Sequence, residues 1–186
     1  MNRELILRPA IIADYRSANC SAISLQSFHC SERELEKFLV EDAWENQKQG
    51  ISVTYLWFLK ETRELVSYLT LLADSINLNA DLKQFFREKD IHYKSLPALK
   101  IGRMAVSEPM MHRGIGSMMI RFSIAVGLQI YEKYVGCRFI ILDAKRNTDQ
   151  KFNPIHFYKK LGFNILTERE KGSIPMYLDI WVKGID

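Results

Sequence analysis

The chain has 186 residues, of which 47% are hydrophobic and 26% are charged, and its 26 basic and 22 acidic side chains give a formal net charge of +4. This composition predicts a globular protein with a sizeable core and excludes a low-complexity chain. No apolar run approaches the roughly 18 residues needed to span a bilayer, and no dense Lys/Arg run marks a nucleic-acid footprint.

The length fits a single domain over residues 1–186. The N-terminal stretch MNRELILRPA carries two arginines and a glutamate around a very short apolar run, unlike a signal peptide, so a cytoplasmic location is expected. Cys20, Cys30 and Cys137 form no CxxC pair and no metal-ligand spacing, which predicts free thiols and no metal site. Residues 101–186 hold 13 basic and 8 acidic side chains, a balance that suits a polyanionic ligand.

The first predicted helix begins in SFHCSEREL. Ser31 is a plausible N-cap, and Glu34 completes a capping box three residues later. Apolar residues then recur at helical spacing until the helix ends near Gln49 and Gly50.

Two β-rich runs follow, SVTYLWFL at 52–59 and LVSYLTLLA at 65–73. The charged KETRE between them predicts an antiparallel hairpin. The next segment, DLKQFFREKD at 81–90, fits either a short amphipathic helix or an ordered loop.

The second half predicts a βαβ unit. ALKIGRMAV at 98–106 is typical of a strand, SEPMMHR of a loop, and a helix is expected from Gly114 to about Tyr134. FIIL at 139–142 is wholly apolar, as in a central parallel strand. Such a crossover is expected to be right-handed.

A short helix and a final hairpin complete the predicted elements. Asn153 can cap the helix, Pro154 can occupy its first position, and Gly162 stands where a helix end favours a left-handed residue. FNIL and MYLDIWV then predict two paired strands.

The glycines at 114 and 116 lie where the long helix is expected to begin. The first amides of a helix have no internal acceptor and attract anions, and glycine lets a phosphate approach them. The stretch lacks the Walker pattern, and Met119 replaces the third glycine of a dinucleotide turn. An anion site and a purely packing role for the glycines both remain open at this point.

The stretch MHRGIGS resembles the (Q/R)xxGx(G/A) pyrophosphate loop of the GNAT acetyltransferases, which joins their fourth strand to a long helix. IGRMAV resembles that fourth strand, and LDAKRN with IHFYKKLGF resembles the fifth strand and the helix after it. The resemblance extends from about Leu96 to Leu166. It implies an α/β (α+β) GNAT fold, with a mixed central sheet of about six to seven strands flanked by helices and a βαβ acetyl-CoA-binding core.

The N-terminal half of the chain resembles one subgroup within the GNAT family. FHCSERELEKFLVEDAWENQKQGISVTYLW, SYLTLLADSI and LKIGRMAV are similar to one GNAT subgroup. That subgroup includes toxins of bacterial toxin–antitoxin pairs that acetylate the amino group of aminoacyl-tRNA, and also chromosomal proteins of unknown substrate.

The resemblance implies an acetyl-CoA site and a general acid. The pantetheine would pair with β-strand backbone as an added strand, the pyrophosphate would lie on the amides of the glycine loop, and Tyr158 would protonate the leaving thiolate. The alternative for Tyr158 is an aromatic ring that packs its helix on the sheet. The implied cofactor-binding residues are Met104, Ala105, Val106, Met111, His112, Arg113, Gly114, Ile115, Gly116, Ser117 and Phe157.

Two positions depart from the family pattern. Met111 stands where the loop usually has Gln or Arg, so a polar contact to the pyrophosphate is missing or comes from His112 or Arg113. Lys151 stands where many members have asparagine, and the nearby Asn147 and Asn153 are equally explained by turn and capping roles.

No general base is evident in the sequence. Residues 91–107 contain no Asp or Glu, Glu108 lies along the loop, and a role for Asp74 or Asp143 depends on tertiary geometry. An amine of low pKa would need little help from a base.

Three functions are consistent with the sequence. The first is an acetyl-CoA-dependent N-acetyltransferase acting on a primary amine. The second is a toxin that acetylates the α-amino group of aminoacyl-tRNA and has tRNA and an antitoxin as partners. The third is a non-catalytic CoA-binding or interaction module. A homodimer is possible in each case, and no membrane partner is expected.

Overall fold

The computed structural model describes residues 8–12, 25–146 and 153–181. The chain divides into two compact units, Met1–Leu72 with Gly102–Ile120 and Ala73–Ile101 with Arg121–Asp186. That the whole chain is one domain stays a prediction. In chain order the elements are β1 (Arg8–Ile11), α1 (Arg33–Lys37), a π-helical turn (Phe38–Asp42), α2 (Ala43–Lys48), β2 (Val53–Phe58), β3 (Leu65–Asn77), α3 (Ala80–Arg87), β4 (Ser95–Val106), α4 (Ile115–Lys133), β5 (Phe139–Ala144), α5 (Pro154–Lys160), β6 (Asn164–Ile165) and β7 (Ile174–Asp179).

The strands form a seven-stranded mixed sheet in the order β1-β2-β3-β4-β5-β7-β6. β4 and β5 are parallel, which confirms the predicted βαβ unit around α4. β2 pairs with β3 antiparallel, and β6 pairs with β7 in the same way, so both predicted hairpins are confirmed. The predicted α/β class with a mixed central sheet is therefore confirmed.

In the first unit, α1, α2 and the π-helical turn pack on strands β2 to β4. Leu39 and Ala43 are fully buried in this core, together with Leu56 and Tyr68. The Tyr68 hydroxyl donates a hydrogen bond of 2.7 Å to the carbonyl of Leu35, which attaches the helix to the strand. Burial raises the pKa of Tyr68, so this hydroxyl remains a donor.

The capping box predicted for the first helix is wrong. The N-cap is Glu32, whose side chain makes no capping bond, and Ser31 lies outside the helix. Instead, the carboxylate of Glu36 accepts a hydrogen bond of 2.8 Å from the amide of Cys30. The helix begins one residue later than predicted, at Arg33. The predicted end is correct, since α2 stops at Lys48.

In the second unit, α3 covers strands β4 and β5. The segment 81–90, for which a helix or a loop was predicted, forms a helix. The side chain of Asn79 caps it by accepting from the amide of Leu82, and Leu82 and Phe86 are buried. The Phe86 ring packs edge-to-face on Phe139, with ring centroids 6.0 Å apart.

Strands β3 and β4 are longer than their apolar runs predict. β3 continues to Asn77, and β4 begins at Ser95. Their extra residues are mostly exposed, except for the buried Ile76, and backbone pairing with a neighbouring strand can extend a strand beyond its apolar run. β1 was not predicted, because it has only four residues.

Two further expectations concern cysteines and membranes. Cys30 and Cys137 are free and buried, and Cys20 lies outside the described residues. Burial raises the pKa of both described thiols, unlike that of an activated nucleophile. Among the helices of the described ranges, none is both long and apolar enough to cross a membrane.

Candidate active site

Strand β5 pairs with only part of the edge of β4. The two strands pair from Ala98↔Phe139 to Ile101↔Leu142, whereas β4 continues to Val106. The stretch 102–106, which contains the predicted Met104, Ala105 and Val106, has no pairing with β5 in the part of the chain that the structure describes. Such an edge can receive an added extended ligand through backbone hydrogen bonds.

The glycine loop brings several amides to the N-terminus of α4. His112 and Gly114 have left-handed backbone, with φ of 60° and 80°. The first helical hydrogen bond of α4 runs from the amide of Met118 to the carbonyl of Gly114 and is 3.0 Å long. The amides of residues 115–117 therefore have no acceptor within the helix. Left-handed residues just before a helix orient further amides toward the same anion-binding position.

Gly114 is explained by its backbone and not by tight packing. A Cβ added there would meet no atom within 4 Å, so the space beside it is open. A left-handed non-glycine residue costs ~1–2 kcal/mol, and His112 carries that strain at the same loop. The packing alternative for Gly114 is therefore not supported.

The long helix fixes this loop through one apolar face. Ile115, Met119 and Gly127 are buried at intervals that fall on one side of α4. Met119 is completely buried, so the position of the third glycine of a dinucleotide turn belongs to the core. His112 and Arg113 are exposed beside the loop, and Met111 is half-buried.

Tyr158 is held by the C-terminal end of α5. Asn153 caps the start of this helix by accepting from the amides of Ile155 and His156, which confirms its capping role. At the other end, the amide of Phe163 donates to the carbonyl of Tyr158 and the amide of Gly162 donates to Lys159. These two bonds form a Schellman motif.

The Schellman motif also explains the ring packing of Tyr158. Its ring lies edge-to-face against Phe163, with centroids 5.6 Å apart, and against Phe157, with centroids 5.1 Å apart. The hydroxyl forms no hydrogen bond with any residue that the structure describes. Burial raises the pKa of Tyr158 to about 12, so the hydroxyl carries its proton at neutral pH.

Replacement of Gly162 by alanine is expected to lower the free energy of unfolding by ~1–2 kcal/mol, because the residue has a φ of 88°. The added Cβ would also lie 3.3 Å from Cδ1 of Leu178. Urea denaturation measures this loss. Gly172→Ala is the control for strain alone, since Gly172 has a φ of 78° and no atom within 4 Å of an added Cβ. Equal losses in both variants would contradict a role for the Leu178 contact.

The two candidate base carboxylates are both paired with one lysine. Nζ of Lys100 lies 2.9 Å from Oδ2 of Asp143 and 3.6 Å from Oδ2 of Asp74. The hydrogen bond to Asp143 is the main reason that the pKa of Lys100 is raised. Both carboxylates therefore make ion pairs with the same ammonium group. Glu108 is exposed, and its amide donates to the carbonyl of His29.

The predicted site residues fall into two groups. The β4 edge and the glycine loop lie in the first unit, and Phe157 and Tyr158 lie in the second. Ser107 was missed from the sequence: it joins the edge to the loop, is buried, and its hydroxyl has no partner among the described residues. Asn147 and Lys151 lie outside the described residues.

No protein-family model and no curated protein matches this sequence. Among solved structures, a variant of KacT has a TM-score of 0.75 at 23% identity, over 94% of this chain and 95% of that chain. AtaT complexed with acetyl-methionyl-tRNAfMet has a TM-score of 0.72 at 23% identity, over 91% and 93%. AtaT bound to the C-terminus of the antitoxin AtaR and acetyl-CoA has a TM-score of 0.68 at 21% identity, over 94% and 93%. These neighbours are GNAT-fold acetyltransferase toxins.

The chain has the GNAT fold.

The fold that the loop and strand motifs imply is therefore confirmed. At identities of 23% and below, these neighbours show the shared fold alone.

Proposed function

We propose that this GNAT-fold chain is an acetyl-CoA-dependent N-acetyltransferase that moves the acetyl group to a primary amine. The glycine loop carries the proposal: left-handed backbone at His112 and Gly114 opens onto the N-terminal amides of α4, directly after β4. A pyrophosphate is the anion that such a set of amides fits. The structural neighbours include AtaTR bound with acetyl-CoA.

The binding residues fit the shape of this cosubstrate. The backbone of Met104–Val106 takes the pantetheine as an added strand, and the amides of Met111–Ser117 hold the pyrophosphate. The exposed Arg113 adds positive charge, and the exposed His112 offers a ring nitrogen, in place of the polar side chain that Met111 lacks.

Acetyl-CoA supplies the activated acyl group as a thioester. The neutral acceptor amine forms a bond to the acyl carbon while the carbon–sulfur bond breaks, and a backbone amide of Met104–Val106 stabilises the charge on the acyl oxygen. Tyr158 gives its hydroxyl proton to the leaving sulfur, and the amine releases its extra proton to water. Because Asp74 and Asp143 are paired with Lys100, an acceptor amine of low pKa suits this site.

The rate of transfer is expected to rise with pH as the acceptor amine loses its proton and then to stay level to pH ~10. Burial raises the pKa of Tyr158 to about 12, above the usual value, so the acid remains protonated throughout this range. The check is kcat measured against pH. A falling limb at or below pH ~10, the pKa of an unperturbed tyrosine, would contradict the raised pKa of Tyr158.

A second candidate is a toxin that acetylates the α-amino group of aminoacyl-tRNA. Its support is that AtaT is known complexed with acetyl-methionyl-tRNAfMet and with the C-terminus of the antitoxin AtaR. The α-amino group of an aminoacyl ester also has a low pKa and needs little help from a base. The only support for a non-catalytic module is that Met111 replaces the Gln or Arg that usually contacts the pyrophosphate.

Two measurements test these functions. Isothermal titration with acetyl-CoA is expected to show binding, and no binding would reject both enzymatic functions. Acetyl transfer is then screened across charged tRNA, polyamines, amino acids and ribosomal peptides. Transfer to charged tRNA, with growth arrest on expression of the wild type and not of Tyr158→Phe, would establish the toxin.

A further inference from the structure

His29 is held at the end of β4 by its backbone and by its two neighbours. Phe28 and Cys30 are buried in the core cluster that also contains Ala105 of β4. The carbonyl of His29 accepts a hydrogen bond of 3.1 Å from the amide of Glu108, two residues after this strand ends. The side chain of His29 itself is 74% exposed. The histidine therefore has a fixed backbone and an accessible ring where the strand that is proposed to bind the acyl group ends.

The carboxylate of Glu36 orients the imidazole ring of His29. Nδ1 of His29 lies 3.5 Å from Oε1 of Glu36, and the same oxygen accepts a hydrogen bond of 2.8 Å from the amide of Cys30. A carboxylate beside Nδ1 favours the tautomer that carries its proton on that nitrogen. The lone pair is then on Nε2, on the side of the ring away from Glu36. A histidine oriented by a carboxylate in this way is the usual arrangement of a general base.

Three carboxylates surround the loop that carries His29. Burial raises the pKa of the Cys30 thiol, and the nearby charges of Glu36, Glu32 and Glu108 raise it further. A primary amine in water at neutral pH is mostly an ammonium ion, which such carboxylates attract. The loop therefore favours the approach of an amine that must lose a proton before it can attack.

Ser107 offers a hydrogen bond at the same end of the strand. It directly precedes Glu108, and its amide donates a hydrogen bond of 2.8 Å to the carbonyl of Val66. Its hydroxyl is buried and has no partner in the part of the chain that the structure describes. Since buried hydroxyls are normally paired, this hydroxyl has the capacity to bind a polar molecule at the end of β4.

We propose that His29 is the general base of the acetyl transfer and that Glu36 is the residue that positions it. The proposal rests on the proposed function and supplies the proton acceptor for that reaction. As the amine nitrogen bonds to the acyl carbon, its extra proton passes through one water to Nε2 of His29. The sulfur leaves with the electrons of the carbon–sulfur bond and takes the proton of Tyr158. Solvent then removes the proton from the exposed His29 and restores that of Tyr158.

The test removes the imidazole and supplies it again from solution. It uses the acceptor with the highest kcat/KM among charged tRNA, polyamines, amino acids and ribosomal peptides. In His29→Ala, kcat at pH 7 is expected to fall by about 100-fold, the lower end of the usual contribution of a general base. Added imidazole is expected to recover part of this loss and to leave the wild type and Tyr158→Phe unchanged. Isothermal titration is expected to give an unchanged Kd for acetyl-CoA.

A double variant tests the positioning role of Glu36. Glu36→Gln keeps an oxygen that can accept from the amide of Cys30, and it removes the charge beside Nδ1 of His29. Its kcat is expected to fall by less than that of His29→Ala. The double variant is expected to lose no more than His29→Ala alone, because Glu36 acts only through the ring. Losses that add in the double variant would contradict the positioning role.

His92→Ala is the matched control. His92 is 68% exposed and its Nε2 lies 3.8 Å from Oδ1 of Asp90, but it belongs to the second unit. Its kcat is expected to match that of the wild type. Wild-type kcat in His29→Ala, a loss that imidazole does not recover, or an equal loss in His92→Ala would overturn the role of His29 and leave the proposed function standing. A wild type that does not bind acetyl-CoA, or that acetylates none of the acceptors, would reject the proposed function and this inference with it.

Discussion

Replacement of Tyr158 by phenylalanine is expected to lower kcat for acetyl transfer by about 10²- to 10⁴-fold, the usual contribution of a positioned general acid. The change removes one hydroxyl and keeps the ring. The edge-to-face contacts with Phe157 and Phe163 and the Schellman bonds to its backbone are therefore retained. Steady-state kinetics with a saturating acceptor measures the loss, and isothermal titration is expected to give a nearly unchanged Kd for acetyl-CoA.

Tyr131→Phe is the control for this variant. Tyr131 lies on α4 and is partly exposed, so its hydroxyl can also be removed without opening the core. Its kcat is expected to match that of the wild type. If Tyr158→Phe kept wild-type turnover with a verified acceptor, the general-acid role would be wrong and the packing alternative would explain the residue.

Replacement of Gly114 by alanine is expected to raise the Kd for acetyl-CoA by about 10- to 100-fold, which corresponds to the loss of one hydrogen bond to a charged group. The added Cβ would occupy the open space beside the amides that precede α4, and the φ of 80° would be strained. Isothermal titration measures the change in Kd.

Gly50→Ala separates strain from binding. Gly50 has a φ of 69° and, like Gly114, no atom within 4 Å of an added Cβ. Both variants are expected to lose similar free energy of unfolding, ~1–2 kcal/mol. Only Gly114→Ala is expected to weaken acetyl-CoA binding. An equal and small change of Kd in both variants would exclude the glycine loop as the pyrophosphate site.

Local sequence patterns determined the elements wherever the interactions are local. The β2–β3 hairpin, the helix after the glycine loop and the ends of α5 follow from charged turns, apolar spacing, the Asn153 cap and the left-handed Gly162. These features depend on backbone conformations and hydrogen bonds within a few residues. The capping box at Ser31 failed: the N-cap is Glu32 without a side-chain bond, and the carboxylate of Glu36 accepts from the amide of Cys30.

Tertiary structure alone decided which side chains meet. The sequence identified Asp74 and Asp143 as possible bases, but only the sheet placed both of them beside Lys100. The sequence also did not indicate that the Arg103 guanidinium lies on the Phe38 ring. The two residues are 65 positions apart, and Phe38 is the first residue of a π-helical turn.

By itself, the sequence determined the glycine loop, the helix that begins there, and the capped helix that carries Tyr158. The tertiary structure decided that β5 does not pair with the end of β4, that Lys100 pairs with both Asp74 and Asp143, and that Arg103 lies over the ring of Phe38. The reason is that local hydrogen bonds and φ preferences are encoded within a few residues. Charge pairing and strand edges, in contrast, depend on contacts between segments that only the folded sheet brings together.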